Sequence, residues 1–288
     1  MTFKEKLLRG DFLVTGEIAP HKGVDPERIL KTLGYLKGVV DAVNVTDNQR
    51  SCVRASALAV SKIILDAGVE PVYQLTCRDR NRIGLQSDLL GAHMLGIRTI
   101  LALTGDHPLG GDHPDAKPVW DLDSTQLIAV AQEMNEGKDM RGNQLDKKTD
   151  FLIGAALDTN CEDMEVEALR VRRKLDAGAR FFQSQVVYEV DRFRKLAKML
   201  PKDAVVLAGI IPLKSKKMAE FMNAKIPNAK VPEDYIRELE QSKNQVETGV
   251  NQAAKIIREI RPHCRGVHVM ALGSEEHVKT LLQEAGIQ

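Results

Sequence analysis

Glu17 sits inside an apolar run, LVTGEIAP, where a carboxylate is costly to bury unless it is paired or its pKa rises. A carboxyl group held in such a place is a candidate proton donor; the plainer reading is an ion pair with an arginine. Asp106 closes the run TILALTGD behind Gly105, a residue that lets backbone approach a ligand closely, although an aspartate there also suits a loop cap. Glu17 and Asp106, at the ends of a first and a fourth strand, would flank a flat ligand. Gln183 and Gln185, two apart in FFQSQ, share one strand face. An amide both donates and accepts, which fits a heterocycle edge as well as it fits a satisfied core position. Thr46 with Asp47 and Asn48, Gln74 with Thr76, Thr104, and Asp158 complete the polar positions at the ends of apolar runs.

Other chemistries find less support. His107 and His113 in HPLGGDHP lack the carboxylate or cysteine set of a metal site, and none is expected. No strand candidate carries an internal lysine for a Schiff base. Neither G-x-G-x-x-G nor a P-loop is present, so no separate Rossmann nucleotide site is expected.

These residues need elements to hold them. Eight short runs read as strands, beginning at Leu13, Ala42, Pro71, Thr99, Phe151, Phe181, Ala204 and Gly266. They are near-continuously apolar, as strands of a parallel sheet covered by helices should be. Between them lie helical stretches, the clearest with Met164, Ala168, Val171 and Leu175 on one stripe. The segments LDAGVEPVYQLT, HMLGIRTILALT and LDAGARFFQSQ each place a glycine after a helix and before a strand, so one supersecondary unit recurs. Eight β/α units predict an α/β fold, a closed (β/α)8 TIM barrel, formed by a single domain over residues 1–288. Catalytic groups of such barrels come from the strand C-terminal ends, where the polar positions above fall. Two insertions are expected, HPLGGDHPDAKPVWDLDS after the fourth strand and IPNAKVPEDY before the last long helical stretch.

A formal net charge of +1 gives no pull toward nucleic acid or anionic membrane, and the basic clusters at Arg78 to Arg82 and Lys214 to Lys217 read as solvated faces. Cys52, Cys77, Cys161 and Cys264 form no C-x-x-C pair and read as reduced thiols. Charged residues interrupt the opening segment, which is neither signal-like nor membrane-spanning; a cytoplasmic protein is expected.

In order, GEIAP, VNVTDN, YQLTCRDRNRIGLQSDLLGAHMLGIRTILALTGDHP, RRKLDAGARFFQSQVVYE and LAGIIP resemble the methylenetetrahydrofolate reductases across essentially the whole chain. The resemblance implies a flavoprotein of one-carbon metabolism and methionine biosynthesis. Such an enzyme reduces 5,10-methylenetetrahydrofolate to 5-methyltetrahydrofolate by hydride transfer from FAD, with FMN as the alternative. It implies Glu17 as the acid that helps open the folate's five-membered ring, and Asp106 between flavin and pterin. Gln185 would bind the pterin edge, and Thr46, the Thr104–Gly105–Asp106 turn and Lys174 would contact the cofactor, although Lys174 also suits a solvated position on a basic helix.

Gln74 before LTC and TDNQRS after the second strand depart from the NADH-dependent bacterial pattern. The long LTC to TGDHP run looks more like the branch of acetate-forming anaerobes, or like family members fused to methyltransferase domains. The expected electron donor is therefore NAD(P)H or an electron-donating partner protein, such as a cysteine-rich zinc subunit, in an oligomeric assembly. Two other readings fit the same residues: a flavin-free barrel methyltransferase, and a pterin-binding subunit without chemistry.

Overall fold

The computed structural model describes residues 1–225 and 229–287. Eight parallel strands close into a barrel in chain order: β1 (Leu13–Ile18), β2 (Ala42–Val45), β3 (Pro71–Thr76), β4 (Thr99–Leu103), β5 (Leu152–Leu157), β6 (Phe181–Val186), β7 (Val206–Ile210) and β8 (Gly266–Val269). Every strand run expected from the sequence is present, and the fold is the (β/α)8 barrel. The described helices are α1 (Phe3–Arg9), α2 (Pro26–Leu36), α3 (Ala57–Asp66), α4 (Arg82–Met94), α5 (Ser124–Asn135), α6 (Met164–Ala177), α7 (Val190–Met199), α8 (Lys216–Lys225), α9 (Glu233–Gln241), α10 (Gln245–Ile260) and α11 (Val278–Glu284).

Local chemistry accounts for the helix boundaries. Asp163 caps α6 by accepting from the backbone N–H groups of Glu165 and Val166, and Val171 and Leu175 bury its apolar stripe. The recurrent junction glycines Gly68, Gly96 and Gly178 all have positive φ, as helix termini feeding directly into strands require. The 107–124 insertion is a long βα loop with one short 3-10 turn at Pro108–Gly110. In the second insertion, residues 226–228 lie outside the described residues, and its end already belongs to α9.

Two apolar layers result. The larger lies between strands and helices; the smaller fills the barrel interior with Leu13, Ala42, Val72, Leu101, Leu152, Phe181 and Leu207. Helix α1 closes that interior from the strand N-terminal end, where Phe3 meets Phe181 edge-on at 5.5 Å. No helix among the described residues is long and apolar enough to cross a membrane.

Candidate active site at the strand C-terminal ends

Side chains two apart on a strand share a face, so each strand climbs the barrel interior in steps. Leu13 leads to Thr15 and Glu17, Ala42 to Asn44 and Thr46, and Phe181 to Gln183 and Gln185. The floor is apolar and the next level is polar. There the hydroxyl of Thr15 lies 3.0 Å from Nδ1 of His268, Gln183 Nε2 donates to Thr15 Oγ1 at 3.1 Å, and Gln183 and Asn44 exchange amide hydrogen bonds between β6 and β2.

Glu17 stands above this level and is 8% exposed. No arginine pairs with it among the described residues. Its Oε1 lies 3.4 Å from Gln49 Nε2 and its Oε2 3.5 Å from His268 Nε2. Thr46, beside it on β2's end, is buried with its hydroxyl unpartnered, a state that ordinarily costs about 1–3 kcal/mol. Asp47 has a structural task. It accepts from the backbone and hydroxyl of Thr76, both at 2.9 Å, and from both terminal nitrogens of Arg80.

Of the basic cluster expected to be solvated, Arg82 is exposed but Arg78 and Arg80 are not. Arg78 is 1% exposed, and Arg80 bridges Asp47 and Asp88. The reason is a shortage of donors at a crowded rim. Arg78 donates to the carbonyls of Asn48 and Asp106, to Ser51 Oγ and to Asp79, tying the β2 and β4 loops together. Asn48, Arg50 and Ser51 all adopt positive φ there, a strained path that these contacts hold. Ser51 also donates to the Asp106 carbonyl at 2.8 Å.

Asp106 is thus fixed by its main chain while its exposed carboxylate makes no hydrogen bond among the described residues. Gly105 serves this turn with φ +91°, and a Cβ there would meet Arg78 Cβ at 2.9 Å. The close approach it allows is to Arg78 and Thr76, within the protein. In the ring, β1 and β4 are three strands apart.

Three expected cofactor or substrate contacts, Thr104, Lys174 and Gln185, line one cavity of about 400 Å³ where β4, β5 and β6 end, beside the first turn of α5. Lys174 is not a solvated helix lysine. Its Nζ donates to the Ala156 carbonyl at 2.7 Å, and burial lowers its pKa. Arg170 and Arg173 line the same cavity, together with Asp123, Asp158 and Glu167. Gln185 is exposed into it, whereas Gln183 is buried below, and β6 shifts register against β7 between Gln183 and Val186. A larger cavity of about 510 Å³ lies at the opposite rim against α1, away from these groups.

His107 caps the 3-10 turn and packs against Trp120, His113 bonds Asp112, and no group of three or more potential metal ligands occurs among the described residues. The residues missed from sequence are Thr15, Asn44, Arg78 and His268. His268 had a usable signal, a titratable side chain inside GVHVMALG, the same kind of interruption that exposed Glu17.

A family model described as methylenetetrahydrofolate reductase matches residues 2–286. "Methylenetetrahydrofolate reductase 2" of Schizosaccharomyces pombe is 27% identical over 243 residues, covering 74% of this chain and 35% of that protein. The 5,10-methylenetetrahydrofolate reductase of Salmonella typhimurium is 28% identical over 198 residues, covering 65% of this chain and 60% of the relative. The matched regions therefore span less than two thirds of either relative. A solved Clostridium thermocellum protein, described as binding two copies of 5-methyl-5,6,7,8-tetrahydrofolic acid, aligns over 99% of this chain and 98% of its own. Its TM-score is 0.67 at 14% identity, so what is shared is the fold.

Proposed function

The chain belongs to the methylenetetrahydrofolate reductase family, and from that premise we propose that it reduces 5,10-methylenetetrahydrofolate to 5-methyltetrahydrofolate with a bound flavin. The observation that carries the reading is Glu17, a buried carboxyl at the barrel mouth that faces a histidine and a glutamine and no arginine.

The residues present suit a flavin. Thr46 offers a buried hydroxyl without a partner among the described residues, and the cavity at Thr104 gathers the basic side chains Lys174, Arg170 and Arg173 beside Asp123, Asp158 and Glu167. Thr46, Thr104, Gly105, Asp106 and Lys174 are the proposed cofactor contacts. When bound, the flavin supplies the hydride. FAD is the expected form, with FMN the alternative, and electrons come from NAD(P)H or a partner protein such as the cysteine-rich subunit of the acetate-forming branch.

The protein's own part is acid catalysis and orientation. Glu17 delivers a proton to the ring nitrogen that leaves when the folate's five-membered ring opens to an iminium. Gln185, exposed into the cavity, would pair with the pterin's donor and acceptor edge, and Asp106, held by its main chain, would offer its exposed carboxylate to the bound cofactor and substrate.

A visible spectrum of the purified protein tests the cofactor, and anaerobic addition of methyltetrahydrofolate tests the chemistry by bleaching it. A protein that stays colourless after FAD and FMN are each supplied would sink the reductase reading in favour of a flavin-free methyltransferase. Glu17→Gln should bind flavin and accept electrons normally while the folate half-reaction slows by about 10²–10⁴-fold. Equal loss of both half-reactions would make Glu17 structural.

A further inference from the structure

We infer that Gln183 is a positioning residue that, together with Asn44, fixes the tautomer of His268, with Nδ1 accepting from Thr15 and the proton on Nε2, facing Glu17. Its functional meaning rests on the reading of Glu17 given above; the hydrogen-bond argument stands apart from it.

Asn44 Nδ2 donates to Gln183 Oε1 at 2.5 Å, and Gln183 Nε2 donates back to Asn44 Oδ1 at 2.9 Å. An amide nitrogen carries two hydrogens and cannot accept. The second hydrogen on Gln183 Nε2 goes to Thr15 Oγ1 at 3.1 Å. Among the described residues the Thr15 hydroxyl has one other partner, His268 Nδ1 at 3.0 Å, and a hydroxyl hydrogen buried there needs it as acceptor. Nδ1 is then the acceptor, and the neutral ring bears its hydrogen on Nε2, 3.5 Å from Glu17 Oε2.

The other tautomer would turn a hydrogen on Nδ1 toward the same oxygen. The Thr15 hydroxyl hydrogen would lose its acceptor in a place with 0% exposure, a costly outcome. The amide pair therefore sets a direction for the whole chain. At its far end the Nε2 hydrogen of His268 faces Glu17 Oε2 at 3.5 Å.

The direct test is long-range proton–nitrogen NMR of the full protein labelled with nitrogen-15 histidine, at mildly alkaline pH and without folate. The chain has 7 histidines. The His268 signals are assigned by their loss in His268→Gln or, should that variant not fold, by elimination through substitutions at the other six. Nε2 should appear protonated and Nδ1 unprotonated.

In Gln183→Glu, the new carboxylate accepts from both Asn44 and Thr15, which frees the Thr15 oxygen to accept, and the proton should move to Nδ1. In Gln183→Met, a similar shape without polar atoms, both tautomers should be populated, and this variant carries the test if the glutamate does not fold. The folate half-reaction of Gln183→Glu should fall by about tenfold or more while flavin uptake and reduction by the donor do not change. A protonated Nδ1 in the unsubstituted protein, or Nε2–H retained in both variants, would overturn the inference. The expected tautomer in a protein that folate fails to bleach would overturn the reductase reading and leave this assignment standing.

Discussion

Gly105 shows how much of the site depends on one missing Cβ. Its φ of +91° and its 2.9 Å approach to Arg78 Cβ make it the pivot on which Asp106 turns out of β4. Gly105→Ala should cost about 1–3 kcal/mol in urea unfolding from backbone strain, with displacement of Arg78 adding to it. An unchanged midpoint would show that the turn relaxes freely. The residues legible from sequence were those that violate a local rule. Glu17 interrupts an apolar strand, and Gly105 and Asp106 end one. Arg78 was illegible because its environment is assembled from Asn48, Ser51, Asp79 and Asp106, and no spacing within RDRNR reports that those acceptors converge on it. Lys174 was ambiguous for the same reason. A basic helix face gives no hint that one of its lysines reaches a strand carbonyl.

Elements were easier to foresee than contacts, since strand periodicity and junction glycines are local. All eight strand runs and the recurrent glycine junctions appear in the structure. Gln183 and Gln185 mark the limit of that reasoning. Alternation puts both on one face, but depth along the barrel, together with the register shift against β7, makes one a buried link and the other an exposed cavity wall. Helix α1 was not anticipated as a closure, because only the assembled ring creates the opening it fills. Phe3 is 1% exposed and packs on Phe181, so Phe3→Ala should destabilise the barrel by about 3–5 kcal/mol in chemical denaturation. A loss below about 1 kcal/mol would mean that α1 merely rests on the floor.

For the molecule as a whole, burial sorts the thiols. Burial pushes the Cys77 thiol up to about 12 and that of Cys264 to about 11, and it raises Cys161, which is 5% exposed. Cys52 and Cys264 are both half-buried, and burial raises the Cys264 thiol. An aromatic disulfide reagent at mildly alkaline pH should therefore titrate one of the 4 cysteines rapidly in the native protein and all of them in denaturant. Rapid native reaction of Cys77 or Cys161 would show that the barrel opens readily around a buried thiol.

The dry floor beneath the polar level has a consequence for proton supply in the proposed reaction. The chain running from Glu17 through His268 and Thr15 ends at two amides, which do not ionise, above a layer of leucines, a valine, an alanine and a phenylalanine sealed by α1. It is a cul-de-sac: it can aim a proton but has no reservoir behind it. If Glu17 is the acid proposed above, each proton it spends would have to be replenished from the mouth and not from below, which would link re-arming of the acid to departure of the product.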